Sequence, residues 1–212
     1  KNKIVKIYKQ KKHLIEKQKS FFFKTLFHKK IVIKILSLFL SFCKREKKIG
    51  DLFADFNFTF NRCKNLWSRW YSTKKVIDLK KEYEFRNKFK YDLVMLTRLD
   101  MAFFSKFEFE KIPKNLLTVP NHNDVGGPRN EYKTQIVKNN RTYEKGISDF
   151  WFISSSENID IFSNLYKHFR KYNISSHTSS YEHSKNSNLE LNFYKYRGID
   201  HEAIRRLNLS DE

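Results

Sequence analysis

The stretch from Tyr91 to Phe103 constrains the fold of this chain more than any other. Its apolar run, Leu93 to Leu96, is continuous, which predicts a strand buried on both faces of a sheet. An amphipathic helix is predicted just before it, over residues 74–88, with Ser72 or Thr73 as its cap. A helix followed by a buried strand predicts an α/β fold.

Two charged residues, Arg98 and Asp100, follow that strand. Ligands of open α/β sheets bind outside the carboxyl ends of the strands, so both side chains are candidates for ligand binding. The alternative is a salt-bridged pair that merely closes the strand. The sequence leaves the two interpretations open.

A second acid, Asp149, precedes another apolar run and is a candidate general base that accepts the proton of an attacking hydroxyl. Its alternative is an amino-terminal cap. Carboxylates suit Mg²⁺ or Mn²⁺, and such an ion bridges a carboxylate to a diphosphate, which makes Asp100 a candidate metal ligand. His177 and His183 lie downstream as weaker candidates for contact with metal or substrate. Walker, GxGxxG, HExxH and GxSxG motifs are absent from the sequence.

The other helices and strands are predicted from hydrophobic periodicity and from residues that end or cap such elements. A second strand is expected at Leu116–Pro120, ended by its proline, followed by a polar surface loop over 121–145 that could act as a lid. A helix is expected over 156–171, with Ser154 and Glu157 at capping-box spacing.

A Ser-, Thr- and His-rich connector is expected next, and then a last helix over 188–197 that ends at Gly198. Near the amino terminus, a short strand over 3–8 and helix or loop over 11–30 are expected, while the alternation of Phe56, Phe58 and Phe60 has a strand-like period.

The positive charge is concentrated in one part of the chain. Residues 1–50 contain sixteen Lys or Arg against Glu16 and Glu46, a net +14 of the total +20. Because Lys outnumbers Arg, an anionic membrane surface or phosphate groups fit this charge better than sequence-specific nucleic acid. Residues 20–43 could lie on a membrane surface or form a basic-flanked core helix, and the run Ile31–Cys43 is too short to span a bilayer.

The chain of 212 residues is long enough for one sizeable core, and its 5 Gly and 3 Pro leave little room for flexible linkers. We therefore expect a single domain, with a basic segment (1–50), a core that carries the site (51–175) and a helical carboxyl-terminal segment (176–212). Cys43 and Cys63 lack metal-site spacing, which favours reduced structural thiols in a cytoplasmic protein.

Three stretches together resemble a loose group of GT-A-type glycosyltransferases from bacterial surface-polysaccharide loci and large DNA viruses. They are Trp70-Tyr71-Ser72, Tyr91 to Phe103, and Ser148 to Asn158. Tyr8-Lys9-Gln10-Lys11-Lys12 is similar to the group's Tyr-x-Pro-Lys segment, with Gln10 in place of proline. The resemblance covers about residues 5–195.

The resemblance implies a GT-A-like (Rossmann-like) mixed sheet flanked by helices, a nucleotide-sugar donor, a surface-glycan or lipid-linked acceptor, and Mn²⁺ or Mg²⁺. It implies that Arg98, Arg69, Tyr71 and Ser72 bind the donor diphosphate, that Asp100 binds metal with help from His177, and that Asp149 is the catalytic base. Arg98-Leu99-Asp100 stands where many GT-A enzymes have Asp-x-Asp, and the first nucleotide-binding strand would precede Lys1, so we expect a fragment.

Two other functions stay open on the sequence. A basic module without enzymatic activity would bind RNA or DNA by stacking aromatic rings on bases, although the aromatic residues mostly follow core periodicities. A glycosyltransferase-like domain that has lost its activity is the other.

Overall fold

The computed structural model describes residues 19–43, 49–121, 135–138, 141–144, 146–197 and 199–204. The strand expected over 3–8 lies outside these residues. The chain divides into two compact units, which we call the helical unit (1–90 with 163–175) and the sheet unit (91–162 with 176–212).

The helices of the described residues are α1 (Phe22–Leu26), α2 (Lys29–Cys43), α3 (Ile49–Asn87), α4 (Ser156–Phe162), α5 (Leu165–His168) and α6 (Ser176–Asn186). The strands are β1 (Val94–Thr97), β2 (Met101–Phe103), β3 (Leu117–Asn121), β4 (Gln135–Lys138), β5 (Arg141–Glu144), β6 (Trp151–Ser154), β7 (Leu191–Tyr196) and β8 (His201–Ala203). Short 3₁₀ turns span Phe109–Lys111 and Phe169–Lys171.

Helix α3 runs without interruption through 39 residues, so the cap predicted at Ser72 or Thr73 was wrong. The alternation of Phe56, Phe58 and Phe60, for which the sequence left the structure open, belongs to this helix. Cys63, Trp70, Ile77 and Glu84 are buried and lie seven residues apart, which places them on one face of the helix. Ser72 lies inside the helix, where its hydroxyl donates to the Ser68 carbonyl at 3.0 Å.

Aromatic rings pack the helical unit. Trp67 meets Phe169 and Tyr166 edge to face, with ring centroids 5.0 and 5.6 Å apart. His28 is fully buried, donates from Nε2 to the Phe169 carbonyl and accepts at Nδ1 from the Lys30 amide. This pairing suits a neutral imidazole, and burial lowers the pKa of His28 to about 4.

The sheet unit is built on a four-stranded sheet with the order β1-β6-β3-β7. Its β1–β6 and β6–β3 pairs are antiparallel and its β3–β7 pair is parallel, while β2 with β8 and β4 with β5 form separate antiparallel pairs. The expectation of an α/β fold with a mixed sheet flanked by helices is confirmed at this level.

The first strand differs from its prediction in burial. β1 lies at the edge of the sheet and its residues are half-buried or exposed, whereas β6, between two neighbours, is fully buried. A continuous apolar run therefore did not indicate burial on both faces here. The strand expected at Leu116–Pro120 is confirmed as β3, but Pro120 lies within it at a shift of register instead of ending it.

For the segment after residue 175, the predicted connector and the predicted helix are both wrong. The expected connector is helix α6, and the expected helix over 188–197 is strand β7. Leu189, Leu191 and Phe193 alternate with polar residues, a period of two that indicated the strand. Parallel pairing with β3 supplies backbone hydrogen-bond partners to β7.

The helix expected over 156–171 is confirmed in part, since it is divided into α4, α5 and a 3₁₀ turn. Its cap lies one residue later than predicted, because the Asn158 amide donates to the Ser155 hydroxyl at 3.3 Å. Ser154 instead donates to the Leu116 carbonyl at 2.7 Å and ties β6 to β3.

The stretch predicted as a polar loop, 121–145, contains the antiparallel pair of β4 and β5, so it is not structureless throughout. Its other residues after Asn121 lie outside the described part of the chain. In the described ranges, no helix has both the length and the apolarity needed to cross a bilayer.

Candidate functional site

Antiparallel pairing brings the two predicted acids to one edge of the sheet. Thr97 at the end of β1 pairs with Trp151 at the start of β6, and the Arg98 amide donates to the Phe150 carbonyl at 3.3 Å. The residues after β1 therefore meet the residues before β6. Arg98, Asp100 and Asp149 therefore lie at the same edge of the sheet. The sequence suggested a site at the carboxyl ends of the strands of an open α/β sheet, whereas here the end of one strand meets the start of its antiparallel neighbour.

Arg98 and Asp100 form a two-pronged ion pair. Arg98 Nε donates to Asp100 Oδ1 at 2.7 Å and Nη2 donates to Oδ2. The guanidinium lies 5.6 Å from the centre of the Phe150 ring. Hydrogen bonding to Asp100, together with the charges of Asp100 and Asp149, raises the pKa of Arg98. The pair that the sequence offered as an alternative to ligand binding is present: the guanidinium stays charged, and Asp100 balances that charge.

Asp149 is a buried carboxylate, with 4% of its surface exposed. Its Oδ1 lies 3.8 Å from His177 Nδ1, and that nitrogen donates to the Ile147 carbonyl at 2.9 Å. Gly146 makes this approach possible, because a Cβ at that position would lie 2.9 Å from the His177 Cβ. His177 is thus held beside Asp149 by the backbone of residues 146–147.

Sequence reasoning missed a second guanidinium at Phe150. Arg197, directly after β7, lies 5.3 Å from the centre of the Phe150 ring, and its Nε donates to Glu202 Oε2 at 2.9 Å. A charged residue at the end of a strand was the signal that singled out Arg98. It failed for Arg197 because residues 188–197 were interpreted as a helix.

His201 is the other residue that the sequence analysis missed. Its side chain is fully buried among Phe103, Phe150 and Trp151, at ring distances of 6.4, 6.0 and 5.7 Å. Neither ring nitrogen has a hydrogen-bond partner among the described residues. Burial lowers the pKa of His201 to about 4, so the ring is neutral at pH 7.

Three predicted donor-binding residues, Arg69, Tyr71 and Ser72, belong to α3 in the helical unit. The Arg69 guanidinium lies 5.1 Å from the centre of the Trp70 ring, and the Tyr71 ring packs against Phe21 and Tyr166. Their role in binding a diphosphate stays a prediction. His183, also considered from the sequence, is buried and donates to the Ile161 carbonyl at 3.2 Å.

The predicted metal ligands fit a dedicated cation cage poorly. Both Asp100 oxygens accept from Arg98, and His177 Nδ1 donates to Ile147. No group of three or more His, Cys, Asp or Glu side chains suited to a metal occurs among the residues that the structure describes. Binding of Mn²⁺ or Mg²⁺ by Asp100 and His177 stays a prediction.

Searches against protein-family models, curated proteins and solved structures found no match for this chain. The edge of the sheet combines two guanidinium groups on one aromatic ring with a buried carboxylate next to an imidazole. Such a combination can bind an anionic group and accept a proton.

Proposed function

We propose that this protein is a glycosyltransferase with a GT-A-like fold, which moves a sugar from a nucleotide-sugar donor to a hydroxyl of a surface glycan or lipid-linked acceptor. The observation that carries the proposal is the meeting of the buried Asp149 with the paired Arg98 at one sheet edge. A carboxylate for the acceptor proton and a cation for the leaving group are the two functions that this transfer requires.

In the proposed reaction, the acceptor oxygen bonds to the anomeric carbon while the bond from that carbon to the diphosphate oxygen breaks. The electron pair of the broken bond leaves with the nucleoside diphosphate, and the hydroxyl proton passes to Asp149. Arg98 and Arg197, both within 6 Å of the Phe150 ring centre, supply positive charge for the departing diphosphate. His177 lies next to the Asp149 carboxylate, with Nδ1 3.8 Å from Oδ1.

The helical unit adds a proposed location at the cytoplasmic face of an anionic membrane. Helix α2 exposes a set of large apolar side chains that we call the apolar face: Ile33, Leu36, Phe39, Leu40 and Phe42. The surrounding residues 1–50 carry a net charge of +14. Apolar side chains flanked by lysines are the pattern of a helix that lies in a membrane interface, where a lipid-linked acceptor would be found.

Binding of the donor can be tested by thermal shift with UDP, GDP, CMP and their sugars, each with and without Mn²⁺. A ligand present at about 100 times its dissociation constant stabilises the protein by roughly 2.7 kcal/mol. We expect one nucleotide class to raise the melting temperature of the wild type. Arg98→Ala should lose this shift, whereas Arg86→Ala, which changes an exposed arginine of the helical unit, should keep it.

The catalytic step is tested by Asp149→Asn, which keeps the shape of the side chain and removes the base. Turnover should fall by about 10²- to 10⁴-fold while the nucleotide shift is retained. No shift with any nucleotide, or a shift that Arg98→Ala leaves unchanged, would contradict the assigned donor site. Full turnover in Asp149→Asn would contradict the assigned base.

A further inference from the structure

A cleft of about 540 Å³ opens in the sheet unit, beside β1 and the segment that follows β2. Its lining includes Phe103, Ser105, Phe107, Glu108, Phe109 and Glu110. The sequence analysis assigned no role to this segment, and the proposed reaction uses none of these side chains.

The aromatic rings of the cleft form a braced platform. Phe107 and Phe109 stack at an angle of 20° with their centres 5.8 Å apart. Phe107 is supported edge-on by Phe103 and by Trp151, each 5.3 Å away. Phe109, on the 3₁₀ turn, keeps 43% of its surface exposed. An exposed ring held by rigid neighbours can stack against a ligand without losing much conformational entropy.

The rim of the cleft carries the carboxylates of Glu108 and Glu110, which we call the acidic rim. Both Glu108 oxygens accept from Lys111 Nζ at 3.0 Å, and Glu110 lies two residues further along the same rim. Lys106 is the lining residue of opposite charge. Lys106 and Lys111 balance the two carboxylates, so the rim offers a diphosphate no excess positive charge, while its carboxylates accept hydrogen bonds well from neutral hydroxyl groups.

We infer that this cleft binds a neutral sugar ring of the acceptor, whose C–H face stacks on Phe109 while its hydroxyls donate to the acidic rim. The inference rests on the proposed function, since it gives the acceptor's chemical class. Phe107 packs on Trp151 of β6, the strand that begins two residues after Asp149. The same strand thereby supports both the proposed base and the platform for the sugar.

The test is saturation-transfer difference NMR on the full chain with four neutral probes: methyl β-D-glucoside, methyl β-D-galactoside, methyl α-D-mannoside and lactose. At least one should receive saturation on its ring C–H protons. Phe109→Ala should weaken that binding by about tenfold, the size expected for one aromatic contact. Phe109→Tyr should retain it, as should Phe58→Ala, a matched change at an exposed phenylalanine of the helical unit.

Failure of this inference can be told apart from failure of the proposed transferase. If no probe gives a signal that depends on Phe109, the cleft does not bind the acceptor sugar, whatever the nucleotide panel shows. UDP and GDP are run as further probes in the same experiment. If their base protons receive saturation that Phe109→Ala abolishes, the cleft is a nucleobase site and the inference is overturned. Loss of the nucleotide shift alone, with sugar binding intact, would overturn the donor site and leave the cleft as a sugar-binding site.

Discussion

At the scale of single residues, two buried histidines make the protein sensitive to acid. His28 and His201 lie fully buried, and burial lowers the pKa of each to about 4, against 6.5 for an exposed imidazole. Between these values the unfolded chain binds protons that the folded chain does not, so stability is present above pH 6.5 and is lost as the pH falls towards 4. Each histidine should cost about 2 kcal/mol between pH 7 and pH 5.

His201→Leu separates this effect from general acid unfolding. The variant should lose less stability between pH 7 and pH 5 than the wild type does, by about 2 kcal/mol, because leucine cannot bind a proton. Urea unfolding at the two pH values measures the difference. His168→Gln, at an exposed histidine, is the control and should match the wild type. An unchanged pH dependence in His201→Leu would contradict the neutral buried state of His201.

The two cysteines should differ sharply in reactivity. Cys43 is exposed, whereas Cys63 is fully buried and burial raises its pKa to about 12. Since the thiolate is the reactive form, iodoacetamide at pH 8 should label one thiol in the folded protein and two in urea. Mass spectrometry counts the labels. The folded Cys43→Ser variant should take up none, and rapid labelling of that variant would show that Cys63 is accessible.

At the scale of elements, α3 depends on an ion pair inside its packed face. Glu84 is 2% exposed, and its Oε2 lies 3.1 Å from Lys80 Nζ and 3.7 Å from Lys90 Nζ. The Lys80 side chain is itself only 9% exposed. Removing Glu84 would leave the mostly buried Lys80 ammonium without the Glu84 carboxylate. This costs more free energy than the loss of the attraction between the two charges.

Glu84→Leu should therefore destabilise the protein by about 3 kcal/mol, and Lys80→Met combined with Glu84→Leu should recover most of that loss. Urea unfolding of the two variants gives both free energies. The exposed pair Arg86–Glu82 supplies the control, and Glu82→Leu should change stability by less than about 1 kcal/mol. A double variant no more stable than Glu84→Leu would show that the charge of Lys80 is not the cause.

At the scale of the whole molecule, the uneven charge and the apolar face of α2 predict binding to anionic membranes. Vesicles of phosphatidylserine and phosphatidylcholine should sediment with the protein at low salt and less so as salt rises, because screening weakens the attraction of the lysines. Uncharged vesicles should bind it weakly. Equal binding to both kinds of vesicle, without salt dependence, would contradict this location.

Variants at exposed phenylalanines test whether the apolar face makes the contact. Phe39→Asp should weaken vesicle binding by at least about tenfold, since it removes an exposed aromatic side chain that the proposed membrane contact would bury and adds a repelled charge. Phe85→Asp makes the same change at a phenylalanine that is 84% exposed on α3. It should bind as the wild type does, and equal losses in both variants would point to charge alone.

Three charged residues of the candidate site were each predictable from the sequence, but their spatial neighbours were not. Arg98, Asp100 and Asp149 stood out because each borders an apolar run. Arg197 and His201 did not, because their importance depends on Phe150, about fifty residues away in sequence. The antiparallel register of β1 and β6, which no local pattern encodes, brings these groups together.

Local periodicity and charge were sufficient to predict the α/β class, strand β3, most of the helix after β6 and the basic amino-terminal region, since each depends on residues a few positions apart. Contacts between distant segments decided the rest. Residues 188–197 form a strand because β3 offers them a partner, and β1 is half-buried because it has a neighbour on one side alone. Strand pairing and burial depend on the neighbours that a segment has in the folded sheet, so the local sequence alone does not determine them.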